Sequence, residues 1–272
     1  MPELPEVETT RRGIQPHVTG QAIREVIVRR RDLRQPISEG VEEMEGEKIT
    51  AVTRRSKYLL LALSDGATLL IHLGMSGSLR LVAPTEEWKK HDHFALTLKN
   101  GRQLRFHDPR RFGLVLLLEG QPIEHPLLRS LGPEPLEPEF TPAHLHTCCE
   151  KRAAAIKLVI MDAKVVVGVG NIYASEALFR AGILPQTAAG QLSRPRLARL
   201  VTAIREVLAD SIEQGGTTLR DFLNSDGEPG YFRQRLFVYD RKGQPCLKCG
   251  TPISHAVLGQ RSTYWCPRCQ KA

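Results

Sequence analysis

The strongest constraint on this chain lies at its end: Cys246-x-x-Cys249, a gap of 16 residues, then Cys266-x-x-Cys269. Two C-x-x-C turns at this spacing bring four thiolates to one ion, the pattern of a four-cysteine zinc site. Four protein ligands close the coordination sphere. The expected cofactor is therefore one structural zinc ion, stapling a segment too small to hold a core of its own. Between the pairs, Ala256 to Trp265 reads as a hairpin turning near Gly259, with Gln260 and Arg261 near the tip. An arginine braced in this way can enter a nucleic-acid groove or meet a phosphate, or it can stand as a solvated surface charge. The other two cysteines, Cys148 and Cys149, are adjacent and are expected to be free thiols, and no function is assigned to them.

Charge adds a direction. The chain carries 38 Lys and Arg against 30 Asp and Glu, a net charge of +8. That balance favours a polyanionic partner such as nucleic acid, although a merely basic soluble protein has the same balance. No apolar run approaches the roughly 18 residues a membrane span requires. The start, MPELPEVETTRRG, lacks the apolar stretch of a secretory signal, so a cytoplasmic setting is expected.

Along the chain, Pro5 to Arg12 reads as a short helix, with acids in its first turn, arginines in its last and Gly13 as its stop. From about Ala22 to Leu118 the pattern becomes short β-rich runs: Ile23 to Val28, Ile49 to Thr53, Tyr58 to Leu63, Thr68 to Leu73, Phe94 to Leu98, Gln103 to Phe106 and Leu114 to Leu118. Turn signals such as Ser64-Asp65-Gly66 and Lys99-Asn100-Gly101 separate several of them, and many short strands with hairpin turns predict a sandwich or barrel. The stretch Leu131 to Pro142 carries Pro133, Pro135, Pro138 and Pro142, the composition of a connector. Helical spacing then dominates, clearest at Leu197, Leu200, Val201, Ile204, Val207, Leu208 and Ile212, between Ser193 and Gly215.

Lys157 to Lys164, then VVVGVGN, then Ile172 to Gly182 reads as helix, tight turn, helix. Gly168 and Gly170 permit the turn and Asn171 is a good cap, so free N–H groups there can hold a phosphate. An ordinary helix connection has the same residues. A dinucleotide loop is excluded, because Ser175 and Glu176 stand in place of the third glycine and no βαβ unit surrounds the motif.

The N-terminal Pro2-Glu3-Leu4-Pro5-Glu6-Val7-Glu8-Thr9, the GVGNIYASE turn and the terminal cysteine hairpin together resemble bacterial formamidopyrimidine-DNA glycosylases. RRSKYLLL around Lys57, HLGMSGSL from His72, KHDHF from Lys90 and DPRRFG from Asp108 extend the resemblance over the whole chain. It implies an α+β multidomain fold: an N-terminal helix with a β-sandwich domain at 1–132, a linker at 133–145, a helix–two-turns–helix DNA-binding domain at 146–232 and a zinc finger at 233–272. The implied partner is duplex DNA containing oxidised purines or abasic sites, met by a monomer in the bacterial cytoplasm with the nucleoid. No membrane partner and no redox or nucleotide cofactor are expected.

The resemblance also implies roles. With Met1 removed, Pro2 presents a secondary amine of pKa about 8, partly neutral at cellular pH and able to attack C1′ of the damaged nucleotide. Glu3 shuttles protons during base loss and sugar-ring opening. Lys57 is the proton donor in β-elimination and a phosphate ligand. Arg261 corresponds to the arginine assigned to δ-elimination, although a guanidinium suits phosphate binding better than proton donation. Met75, Arg110 and Phe112 fill the gap left by a flipped base, by wedging and by hydrogen bonding to the orphaned partner. His91, Arg152, Lys157 and Asn171 fall at backbone-contact positions, with Arg152 where the family often has lysine, and Gly215 to Phe232 matches a loop closing over the purine. His91 and His93 share a strand face, but no further metal ligand accompanies them. Two other readings are a related endonuclease VIII type enzyme preferring oxidised pyrimidines, against which the N-terminal motif, Arg110 and Phe112 argue, and a non-catalytic zinc-ribbon protein, which leaves that motif idle.

Overall fold

The computed structural model describes residues 2–215 and 236–272. Met1 and all but the first residue of the expected loop Gly215 to Phe232 lie outside the described residues. The described chain divides into two compact units, 2–129 and 130–214 with 236–272.

The first unit opens with α1, Leu4–Val18, which runs past the Gly13 stop expected from sequence. Leu4, Val7, Ile14 and Val18 line one buried face of the helix, and anchoring that stripe in the core outweighs the ~1 kcal/mol cost of an internal glycine. Two four-stranded antiparallel sheets follow. One has the order β1-β6-β7-β5, built from Ile23–Val28, Asp92–Leu98, Gln103–His107 and Ser78–Val82. The other has the order β2-β3-β4-β8, built from Ile49–Arg55, Tyr58–Leu63, Thr68–His72 and Leu114–Leu118. Inward side chains of both sheets, among them Leu61, Ile71, Leu96 and Phe106, form one core with Val7, Ile14 and Val18 of α1. The sandwich expectation is met, and the two predicted turn motifs close hairpins through Gly66 and Gly101, both left-handed. Strand β5 is not among the expected runs. Its central Arg80 is buried, and the charge is accommodated because Asp92 accepts both bonds from Arg80 Nη2 at 2.9 Å.

The second unit is helical: α2 at Pro142–Cys149, α3 at Ile156–Ile160, α4 at Asn171–Ala181 and α5 at Arg194–Glu213, followed by a hairpin of β9, Ser254–Leu258, and β10, Arg261–Trp265. The apolar positions read as the long helix are buried on α5, and Tyr173 and Ser211 share a 2.6 Å hydroxyl contact between α4 and α5. Three sequence expectations differ from the structure. The linker 133–145 overlaps the first turn of α2, whose N-cap Thr141 accepts from His144 N–H. The proline stretch also packs on the second unit, where Arg205 donates to the carbonyls of Pro135, Glu137 and Phe140. The helix expected over Lys157 to Lys164 ends at Ile160, because Asp162 turns the chain, its side chain accepting from Lys164 N–H and its carbonyl from Val165 and Val166.

Candidate active site and metal centre

Strand register gathers the candidate residues of the first unit at one end of the sandwich. Arg55 pairs with Tyr58, Tyr58 with His72 and His72 with Leu114, so the turn holding Lys57, the loop holding Met75 and the loop holding Arg110 and Phe112 leave one sheet at the same end. In the other sheet His107 pairs with both Asp92 and Ser78, and Asp108 N–H donates to the carbonyl of His91 at 2.9 Å, which brings His91 to that end as well. Helix α1 runs antiparallel to β2. Gly20 N–H meets the Ile49 carbonyl, Arg11 reaches the Val52 carbonyl, and Glu8 meets Arg54, so the helix start lies toward the Lys57 turn. Pro2 and Glu3 therefore sit at the same end of the sandwich as Lys57.

Glu3 is 2 % exposed and caps α1. Its side chain accepts from Glu6 N–H while Glu6 returns a bond to Glu3 N–H at 2.8 Å, a capping box made by two glutamates. Lys57 lies in the two-residue hairpin turn between β2 and β3, where Ser56 takes the left-handed conformation at φ 55°. Beside it, burial together with the Lys57 and Arg34 charges lowers the His72 imidazole to about 4. His72 Nδ1 accepts from Gly74 N–H at 3.0 Å, so in the neutral ring Nε2 holds the proton.

The Arg110–Phe112 loop is held from beneath. Asp108 is fully buried, and its carboxylate accepts from Gly113 N–H at 2.8 Å and from Arg110 N–H at 3.3 Å, while its carbonyl accepts from His93 Nε2 at 2.8 Å. That bond gives His93 a structural task, and among the described residues no group of potential metal ligands includes His91 or His93. Above this seat Phe112 is 44 % exposed, with the Arg110 guanidinium 5.6 Å from its ring. Met75 belongs to the facing loop, whose Gly74 touches the Phe112–Gly113 backbone so closely that a Cβ there would lie 2.5 Å from Gly113 N. Sequence reasoning does not single out Asp108, Gly74 or His72, although Asp before Pro at a loop start is a readable signal for Asp108.

In the second unit Lys157 differs from expectation. It is fully buried, and Nζ donates to Asn171 Oδ1 at 2.6 Å, Thr263 Oγ1 at 2.7 Å and the Ser262 carbonyl at 3.1 Å. These bonds join the helical turn to the cysteine hairpin, so Lys157 is enclosed rather than presented at the surface expected of a backbone contact. Asn171 donates to the same Ser262 carbonyl at 3.0 Å. It is the first residue of α4 and not its cap, which is Gly170. One residue before Ser262, Arg261 is exposed where the hairpin turns through left-handed Gly259 and Gln260, as its position near the tip predicts. Arg152 is exposed, its main chain tied to Cys149 and Gly190. Glu176, from the GVGNIYASE motif, is 6 % exposed and accepts from the N–H groups of Phe237, Val238 and Tyr239 at 2.8–3.0 Å, which seats the chain entering the finger. Burial raises its carboxyl despite those three bonds.

The four C-terminal cysteines bring their sulfurs within 4.8 Å of one another. A tetrahedral zinc with Zn–S of ~2.3 Å needs S···S near ~3.8 Å. The Cys249–Cys266 and Cys246–Cys269 sulfurs, 3.4 and 4.0 Å apart, bracket that value. Lys248 N–H points at Cys246 Sγ and Cys269 N–H at Cys266 Sγ, each 3.4 Å away, the outer bonds a thiolate centre requires. The donor set fits zinc and leaves no position for water. Cys148 and Cys149 are free, and burial raises both thiols, Cys149 to about 11, so neither is a ready thiolate.

A helix-led β-sandwich, a helix–two-turns–helix unit and a four-cysteine finger together define a multidomain zinc-finger protein of the helix–two-turns–helix class. Family profiles match along most of its length: "Formamidopyrimidine-DNA glycosylase N-terminal domain" at 1–115, "Formamidopyrimidine-DNA glycosylase H2TH domain" at 131–223 and "Zinc finger found in FPG and IleRS" at 243–272. The chain belongs to the formamidopyrimidine-DNA glycosylase family. It is 57 % identical to the formamidopyrimidine-DNA glycosylase of Methylococcus capsulatus and 55 % identical to that of Xanthomonas campestris pv. campestris, in each case over 100 % of both chains. Among solved structures, the MutM (Fpg) protein of Thermus thermophilus is similar at TM-score 0.87 and 42 % identity, covering 99 % of this chain and 98 % of that one. Lactococcus lactis Fpg, in complex with DNA containing an abasic site, is similar at TM-score 0.92 and 31 % identity, covering 99 % of this chain and 100 % of that one. No helix among the described residues is long and apolar enough to cross a membrane.

Proposed function

We propose that this protein is a bifunctional DNA glycosylase and abasic-site lyase that removes oxidised purines, 8-oxoguanine and formamidopyrimidines, from duplex DNA in base excision repair. One observation carries the reading: the antiparallel course of α1 along β2 brings Pro2 and Glu3 to the end of the sandwich that holds the Lys57 turn. The relatives agree in chemistry, since Lactococcus lactis Fpg is described with abasic-site and Fapy-dG DNA and a MutM with carbocyclic 8-oxo-G DNA.

In this reading, removal of Met1 frees the Pro2 nitrogen, whose lone pair attacks C1′ of the flipped nucleotide. The C1′–base bond breaks, its electron pair leaves with the base, and Glu3 supplies and recovers protons as the base departs and the sugar ring opens. The resulting iminium acidifies C2′–H. Its loss expels the 3′ phosphate in β-elimination, with Lys57 as proton donor and phosphate ligand; Arg261 binds phosphate in the δ step. Met75, Arg110 and Phe112 occupy the vacated stack, while His91, Arg152 and Asn171 hold the backbone. Zinc, bound by Cys246, Cys249, Cys266 and Cys269, fixes the hairpin that carries Arg261 and enters no bond-making step. We place the protein in the bacterial cytoplasm with the nucleoid.

Incubation with an abasic-site or 8-oxoguanine duplex and borohydride tests the reading. A covalent protein–DNA adduct is expected from chains that begin at Pro2, and it should be lost from chains that retain Met1. Absence of any adduct from chains beginning at Pro2 overturns the reading.

A further inference from the structure

The Glu8 side chain is 11 % exposed and collects three guanidiniums. Arg11 donates to it from Nη2 at 2.8 Å and Nε at 3.0 Å, Arg12 from Nε at 2.9 Å and Arg54 from Nε at 3.2 Å. The first two are neighbours one turn along α1 and would be present in any helix with this spacing. Arg54 is different, because it comes from the end of β2. Its Nη1 donates onward to the Ser56 carbonyl at 2.8 Å, within the turn where Ser56 is left-handed and Lys57 follows. Arg11 adds a second tie, from Nη1 to the Val52 carbonyl at 3.4 Å.

We propose that Glu8 is a positioning residue for the lyase chemistry, tying the helix that begins beside Pro2 and Glu3 to the turn that carries Lys57. The proposal rests on the function assigned above. Its physical basis is the rigidity of the chain of bonds Glu8–Arg54–Ser56. A charged carboxylate holds a forked guanidinium, and the other edge of that fork fixes a backbone carbonyl one residue from the lysine. Without the negative charge of Glu8, the guanidiniums of Arg11, Arg12 and Arg54 lose the carboxylate they share, and the tie between α1 and the turn loosens. A nucleophile and a proton donor that act on adjacent sugar carbons tolerate little such drift.

Single-turnover cleavage and borohydride trapping on an abasic-site duplex decide the matter with Glu8→Gln, Glu8→Asp and, as the control, Arg12→Gln, which removes only the exposed helix pair. A positioning role predicts that Glu8→Gln lowers the rate of adduct formation and β-elimination by ~10-fold to ~100-fold while the trapped fraction and the affinity for a non-cleavable tetrahydrofuran duplex hold within about twofold. Glu8→Asp, which keeps the charge, should recover part of the rate, and Arg12→Gln should retain it. If the variants lose trapped fraction or melting temperature while surviving molecules react at the native rate, Glu8 is a structural ion cluster and the proposal is overturned. If Glu8→Gln does not fold, Glu8→Asp decides alone: a native rate overturns the proposal and a reduced rate at full trapped fraction supports it. Failure of the native protein to trap would instead sink the assigned function, so the two failures are distinct.

Discussion

Lys157 Nζ lies 2.6 Å from Asn171 Oδ1 and 2.7 Å from Thr263 Oγ1, so one buried ammonium joins the start of α4 to the strand of the cysteine hairpin. Lys157→Met leaves these oxygens without their charged donor and should destabilise the protein by about 2–4 kcal/mol, seen as a lower melting temperature. An ammonium enclosed in this way predicts that the slope of log affinity against log salt is unchanged. Arg152→Gln should lower that slope by ~0.9 with little change in stability. A reduced slope in Lys157→Met would return this residue to the DNA surface.

Removal of the metal should act through the same joint. Chelation, or Cys249→Ser, takes away one thiolate of a closed four-sulfur site or the ion itself, and the hairpin loses its staple. The expected result is one zinc released per chain, a lower melting temperature and weakened DNA binding, checked by colourimetric metal release and thermal denaturation. A finger that keeps its melting temperature after complete chelation would contradict this.

Gly74→Ala tests the contact between the loop of Met75 and the loop of Arg110 and Phe112. Its φ of +67° disfavours any side chain, and the added Cβ would lie 2.5 Å from Gly113 N and 2.6 Å from the Phe112 carbonyl carbon. A loss of roughly 2 kcal/mol or more in stability is expected, together with slower excision, because both strain and steric exclusion act at this position. Native-like melting and excision would show that the loops yield easily.

Acid should weaken the first unit in two stages. The His72 imidazole is lowered from 6.5 to about 4, first by burial and then by Lys57 and Arg34, so its contribution is complete above 6.5 and is lost as pH falls toward 4. Burial alone would raise the Glu8 carboxyl, but hydrogen bonds from Arg11 and Arg12 and the Arg11 and Arg54 charges outweigh it and bring it from 4.5 to about 2. Its contribution is present above 4.5 and vanishes between there and 2. Urea unfolding across this range should show both losses, and Glu8→Gln should flatten only the lower one.

Much of this architecture is legible in the sequence because local chemistry and final structure coincide. Cys246, Cys249, Cys266 and Cys269 read as one site from spacing alone, and Leu197 through Ile212 read as a helix because periodicity and burial agree. Where tertiary contacts override local signals, the sequence misleads. Gly13 looks like a helix stop until Ile14 and Val18 find a core, and nothing local in the sequence marks Lys157 for burial under the hairpin. Strand β5 escapes notice because a central arginine reads as solvated, whereas in the sheet β5 pairs with β7 and the buried Asp92 accepts from Arg80. Composition and spacing say nothing of Pro2, whose proposed role comes from family likeness and from the direction in which α1 crosses β2.

The seat that Asp108 builds under Gly113 and Arg110 has a thermodynamic consequence for encounter with a duplex. In the proposed function, a segment whose backbone amides are already bound loses little conformational freedom when it enters the duplex, so the entropic cost of ordering it falls on folding and not on association. Affinity for a kinked duplex is then limited by what unstacking the bases costs the DNA, and binding calorimetry should find the unfavourable share in the nucleic acid and not in the protein loop.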